Sequence, residues 1–223
     1  MPIRPLALLT LLGICGWVHA YEARAPREAD LSGRWTLNAA LSDDADAELR
    51  RRLEKQLQRE RRRREQEAEA QPDEEPAPLP DRMSGPKADR VLAQLREALE
   101  LYPMLEIRQG ESGAKLEISA AGSQRRFTAG SRSLVSVPGG GSQLADSEVG
   151  WDGEWFVIER KVRKGPRVIE RYRLLKKTDQ LQATIAWSGG DRDEPLSGIK
   201  LKRVFDRAQG APPPPDPDSG PVR

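Results

Sequence analysis

The chain has 223 residues, with 37 Lys and Arg against 35 Asp and Glu, a formal net charge of +2, a hydrophobic fraction of 37% and a charged fraction of 32%. That length holds one ordinary domain with appendages, and so low a hydrophobic fraction places much of the chain outside any core. A net charge near zero points to no particular partner, so any electrostatic function must lie in how the charge is distributed.

Residues 1–20 have the layout of a secretory signal peptide: Arg4 near the start, an apolar run from Leu6 to Val18, and Val18-His19-Ala20 as a small-residue cleavage site. The run is too short to span a membrane. Cleavage after Ala20 is therefore expected, with export across the inner membrane into the periplasm. Lipidation at Cys15 would ask for a small residue where Ile14 stands. The only histidine, His19, and the only cysteine, Cys15, both lie in the segment to be removed. A mature chain without them cannot run a Ser-His-Asp or Cys-His mechanism, form a disulfide, or bind Zn, Cu or haem through the usual ligands. No catalytic residue, no cofactor and no metal is expected.

The first strand of a β domain is expected within 30–42, entered through a turn. Its string Leu31-Ser32-Gly33-Arg34-Trp35-Thr36-Leu37-Asn38, followed by Leu41-Ser42, resembles the opening of many uncharacterised secreted bacterial proteins with a lipocalin-like β domain. Gly33-Arg34-Trp35 looks like the Gly-x-Trp of lipocalin-type barrels. The resemblance implies that Trp35 closes one end of the barrel and is covered by an arginine from near the last strand, a position matched here to Arg203. The second lipocalin signature, a Thr-Asp-Tyr-like turn, is absent. As a buried structural residue, Trp35 needs no ligand to explain it.

A charged helix is expected over 43–70, with Ser42 as N-cap and Asp43, Asp44 and Asp46 at the positive end of the dipole. Leu49, Leu53 and Leu57 make a narrow stripe, so the helix docks by its first half at most. From Arg50 to Arg64 nine basic residues face only Glu54 and Glu60, and six acids follow between Glu65 and Glu75. Arg61, Arg62, Arg63 and Arg64 allow contact with an anionic envelope surface. Equally they allow a solvated helix whose charges pair along its faces. No aromatic is interleaved to stack bases, and nucleic acid is not an expected partner.

A Pro and Glu linker over 71–86 breaks the helix. A second, amphipathic helix is expected over 87–101, with Val91, Leu92, Leu95 and Leu99 on one face. A β-meander then occupies 104–206, with about nine strands counting the first, and a Pro-rich disordered tail runs from 207 to 223. Its clearest part is Trp151 to Trp187, three alternating runs parted by turn formers. Phe156, Ile158 and Arg160 share one face there, as do Val168, Glu170, Tyr172 and Leu174, and as do Leu181, Ala183, Ile185 and Trp187. A loop centred on Gly165 would set Arg160 opposite Glu170, Ile158 opposite Tyr172 and Phe156 opposite Leu174. A one-residue slip would oppose Glu159 to Glu170.

The fold expected is mainly β: an antiparallel up-and-down meander closing into a lipocalin-like barrel, with both helices inserted after the first strand. Arg160, Glu170, Tyr172 and Trp187 would face its interior. They read either as an anchor for the head group of a ligand or as a satisfied buried ion pair in a barrel filled by side chains. The leading expectation for function is non-enzymatic binding of a small apolar or amphipathic ligand such as a lipid. The alternative is a cell-envelope interaction protein working through its Arg-rich helix.

Overall fold

A computed structural model describes residues 21–70, 85–110, 112–136, 144–162, 165–188 and 197–208. The expected signal peptide, most of the linker and the tail beyond residue 208 lie outside the described residues. Among the described residues ten strands and two helices follow in the order β1 (Gly33–Leu37), α1 (Ala45–Ala70), α2 (Gly85–Ala98), β2 (Met104–Gln109), β3 (Lys115–Ala120), β4 (Ser123–Thr128), β5 (Arg132–Ser136), β6 (Leu144–Asp152), β7 (Trp155–Val162), β8 (Arg167–Leu175), β9 (Gln180–Ser188) and β10 (Lys200–Arg207). The strands form a single antiparallel sheet in the order β4-β3-β2-β1-β10-β9-β8-β7-β6-β5. The sheet curls until β4, at one end, comes close to β6, next to the other end, without a ladder between them. The expected fold class is the one observed, with one strand more than the nine counted and with the last strand running on to Arg207.

The N-terminal segment crosses the seam. Glu22 exchanges backbone hydrogen bonds with Trp151 at 2.8 and 2.9 Å, the Tyr21 hydroxyl donates to Glu159 at 3.0 Å, and Gly130 N–H reaches the Val149 carbonyl at 2.7 Å. Ala25 sits where a Cβ on Gly113 would come within 2.1 Å of it, so the segment needs glycine beneath it.

Inward-facing residues fall into two apolar clusters. One contains Leu31, Trp35, Ile107, Ile118, Trp151, Phe156 and Phe205. The other lies under the helices and joins Leu49, Leu53, Leu92, Leu95 and Leu99 to Val168, Ile185, Trp187 and Leu201. The helix pair is thus seated on one end of the barrel by leucines at helical spacing. Of the charged helix only Leu49 and Leu53 are buried. Its 26 residues reach about 39 Å at 1.5 Å per residue, and the distal half stands clear of the core.

Three local expectations are corrected. The N-cap of α1 is Asp44, whose carboxylate accepts from Ala47 N–H at 3.0 Å, and not Ser42. The Ser42 hydroxyl is taken by strand β10, where it accepts from Val204 N–H at 2.9 Å. The second helix runs over Gly85–Ala98 and stops short of Leu101, because Glu100 adopts a left-handed φ of 50°. The β7–β8 register is displaced by two residues: Phe156 lies opposite Tyr172, Ile158 opposite Glu170 and Arg160 opposite Val168. The turn closes early, with Val162 N–H donating to the Pro166 carbonyl at 3.0 Å. Pro166 has no N–H to give the ladder, so pairing begins at Arg167. An even displacement keeps every side chain on its face.

Because nothing beyond Leu53 in α1 reaches the core, deletion of residues 59–69 should leave the urea unfolding midpoint nearly unchanged, within about 0.5 kcal/mol of stability. A larger loss would mean that the distal helix is packed.

Candidate functional site

Between the two apolar clusters lies a layer of buried charge. Along β8 the inward sequence is Val168, Glu170, Tyr172, and along β10 it is Leu201, Arg203, Phe205, so Glu170 and Arg203 each separate a residue of one cluster from a residue of the other. Arg160 of β7 and Arg125 of β4 point into the same layer, and Glu100 enters it from the turn after α2.

Glu170 is the anchor. Its side chain is 1% exposed. It accepts from Arg160 at 2.6 Å, from Arg125 at 3.1 and 3.2 Å, and from the Tyr172 hydroxyl at 2.7 Å. Burial alone would raise its pKa, but the two guanidiniums and these hydrogen bonds override burial and hold it at about 2. Tyr172 is driven the other way, its pKa raised by burial and by the adjacent Glu170. Glu100 accepts from Arg160 at 2.7 Å and pairs with Arg125. There burial and the like charge of Glu170 prevail over the arginines, and the pKa of Glu100 is raised.

Arg160, Glu170 and Tyr172 are therefore brought together as the sequence suggested, but as members of a five-residue network with Arg125 and Glu100. Neither of those two was legible. Arg125 alternates inward beside Phe127 in a short strand rich in polar residues, and Glu100 sits at a helix end. Trp187 also faces inward, but in the cluster under the helices, opposite Val168 and away from the carboxylates.

Arg203 departs most from expectation. The arginine over Trp35 is Arg207, its guanidinium 4.2 Å from the ring and its residue directly opposite Trp35 in the β1–β10 ladder. A position four residues along a strand keeps the face but moves two rows, and the covering role belongs to the row of Trp35. Arg203 is instead buried at 6% exposure, stacked at 5.2 Å on Phe205, and pairs with no carboxylate among the described residues. Burial lowers its pKa. Tyr172, Ala183 and Arg203 form one cross-strand row, with the small Ala183 leaving room between the two larger side chains.

Arg203 lines a cleft of about 460 Å³ between the helix pair and the ends of β1 and β2, together with Leu37, Asp46, Arg96, Leu101 and Pro103. The acids around it are committed: Asp43 accepts from Lys202 N–H at 2.6 Å, Asp44 caps α1, and Asp46 pairs with Arg96 at 2.7 Å. A second cleft, of about 650 Å³ along β5, is walled by charges such as Arg132 and Glu148 that pair with each other at 3.1 Å.

Summed over the interior layer, Arg125, Arg160 and Arg203 carry three positive charges and Glu100 and Glu170 two negative, 3 − 2 = +1. Among the described residues, Arg160 Nε in the layer and Trp187 Nε1 in the cluster under the helices are buried without an acceptor, whereas Trp35 and Trp151 donate their indole N–H to the carbonyls of Leu31 and Gly113 at 3.0 and 2.9 Å. Such a layer can accommodate an oxyanion.

No family model and no curated protein matches the sequence. Among solved structures the chain is similar to human cRBP IV, with 19% identity, 81% of this chain and 99% of that one covered, and a TM-score of 0.47. It is similar also to lipid binding protein 8 of Caenorhabditis elegans, at 14% identity, 81% and 99% coverage and a TM-score of 0.43. A third is fatty-acid-binding protein 1 of Echinococcus granulosus, at 12%, 79% and 96%, and 0.42.

The two carboxylates of the layer should behave oppositely. A pKa depressed by folding gives stability that is present above the unfolded value and lost as pH falls through the folded one; a raised pKa gives the reverse. Glu170→Gln should cost about 3 kcal/mol or more at pH 7, with its deficit relative to wild type vanishing as pH falls from about 4.5 toward 2. Glu100→Gln should be neutral or stabilising at pH 7. Urea midpoints measured across that pH range check both.

Proposed function

We propose that the protein binds a small amphipathic molecule with an anionic head group, in the cleft between the helix pair and the sheet, and that its role is one of binding and not of catalysis. The observation that carries this reading is Arg203: a buried guanidinium with no carboxylate partner among the described residues, at the wall of an open cleft, in a layer with one positive charge in excess. An uncompensated buried cation is costly, and a ligand oxyanion would offset that cost. The apolar part of the ligand would meet Leu37, Leu101 and Pro103. A binding role is supported by the carboxylates of the layer, both engaged by guanidiniums, and by Tyr172, whose pKa moves away from neutrality.

The site proposed here is narrower than the barrel. Arg160 and Tyr172 are both engaged by Glu170, and apolar side chains lie on both sides of them. Export to the periplasm, proposed from the sequence of residues 1–20, would place such a protein among envelope lipids and their degradation products.

In titration calorimetry with dodecanoate and dodecanol, Arg203→Leu should weaken dodecanoate binding at least tenfold, equivalent to about 1.4 kcal/mol, and leave dodecanol unchanged. Equal binding of dodecanoate by both proteins would exclude Arg203 as the anchor.

The exposed distal half of α1 favours one further reading, contact of Arg61, Arg62, Arg63 and Arg64 with an anionic envelope surface. The helix buries only Leu49 and Leu53, and the part beyond Leu53 extends about 25 Å at 1.5 Å per residue. Replacing all four arginines by glutamine should then reduce sedimentation with phosphatidylglycerol vesicles several-fold in low salt. Unchanged sedimentation would leave the ligand cleft as the working part.

A further inference from the structure

Helix geometry alone does not account for the way α2 ends. The last turn closes with Glu100 N–H donating to the Glu97 carbonyl at 2.9 Å and Leu101 N–H to the Arg96 carbonyl at 3.1 Å, the pattern of a Schellman motif. The left-handed position of that motif normally falls to glycine or asparagine, because a longer side chain is disfavoured there. Here it is Glu100, at φ 50°.

The side chain kept at that unfavourable position is 4% exposed. It reaches past the helix end to Arg160 and Arg125, the same guanidiniums that hold Glu170. Glu170 belongs to a central strand and has Tyr172 as an additional donor. Glu100 belongs to the turn between α2 and β2, in a left-handed backbone conformation, and suffers the like charge of Glu170. One carboxylate is thus built into the sheet, and the other is brought to the arginines by the end of a helix.

We infer that Glu100 is a built-in stand-in for the ligand's head group: it occupies an anion site made by Arg125 and Arg160 while α2 is seated, and an oxyanion entering past Arg203 displaces it. This rests on the ligand-binding reading above and deepens it. The ligand class is a single oxyanion, carboxylate or phosphate monoester, on an aliphatic tail. The path from the cleft follows the row Arg203, Ala183, Tyr172 toward Glu170 and its guanidiniums. Arg160 Nε, which Glu100 leaves without an acceptor, is a donor that an incoming oxyanion would use. Once displaced, Glu100 no longer ties the end of α2 to the sheet, so anion binding and loosening of the helix pair are coupled.

The test compares wild type and Glu100→Gln of the full mature chain, titrated with dodecanoate, dodecyl phosphate and dodecanol, with amide exchange followed over residues 91–101. Gln keeps the shape and removes the competing charge. Glu100→Gln should bind dodecanoate about tenfold more tightly than wild type, with dodecanol unchanged. Dodecanoate should lower the protection of the α2 C-terminal amides in wild type. A gain confined to dodecyl phosphate supports the displacement equally and assigns the head group. Equal or weaker anion binding by Glu100→Gln, or increased protection of α2 on binding, overturns the inference. If wild-type affinity depends on Arg203 while Glu100→Gln changes nothing, only the displacement is lost. If neither protein binds any of the three probes, the ligand-binding reading falls with it.

Discussion

A charge withdrawn from water must meet its opposite at hydrogen-bond distance, and the interior of this barrel is arranged around that requirement. Glu170, on the second strand of the central meander, draws Arg160 from the neighbouring strand, Arg125 from across the seam and Tyr172 from its own strand. These links tie β4 to β8 where no backbone ladder joins the two ends of the sheet. The apolar clusters on either side supply most of the stabilisation. The ionic layer decides which face of each strand turns inward and where the helix pair may sit, since Glu100 must reach the arginines when α2 is docked.

The same requirement explains why the cleft and the ionic layer form a single functional unit. Glu170 is fully met, Glu100 is met under strain, and Arg203 has the ring of Phe205 but no carboxylate among the described residues. A gradient of satisfaction therefore runs from the sheet outward to the cleft, and the least satisfied member lies nearest the opening. Preorganised donors of this kind need little rearrangement to receive an anion.

Much of this architecture was legible in the sequence. Period-two alternation from Trp155 to Trp187 put Arg160, Glu170, Tyr172 and Trp187 on the inner face, and the leucine spacing showed which side of each helix is buried. The pairing of β7 with β8 was missed by two residues because it depends on how tightly Val162 and Pro166 close the turn, which alternation cannot reveal. Choosing between Arg203 and Arg207 as the cover of Trp35 failed for a similar reason: the two share a face and differ only by two rows, and rows are set by register across strands. Glu100 and Arg125 were out of reach because they enter the network through contacts distant in sequence. One signal was available, an acid following Leu99 where a helix end would ordinarily carry glycine or asparagine, but nothing nearby in the sequence said what it would face.

The ladder between β1 and β10 has a further consequence, for folding. Trp35 lies opposite Arg207, and Glu22 opposite Trp151, so the start of the chain finds its partners only when nearly all the rest is in place. β1 must also wait for β2 across both helices and the segment between them. Closing such long loops before any contact compensates the lost entropy makes folding slow, in the range of barrels dominated by distant pairings. Until β10 arrives, β1 and β9 each present an unpaired edge able to capture another chain. The helix pair is bound by the same order: its leucines rest on Val168, Ile185, Trp187 and Leu201, so it finds its seat only after the late strands that carry them have formed.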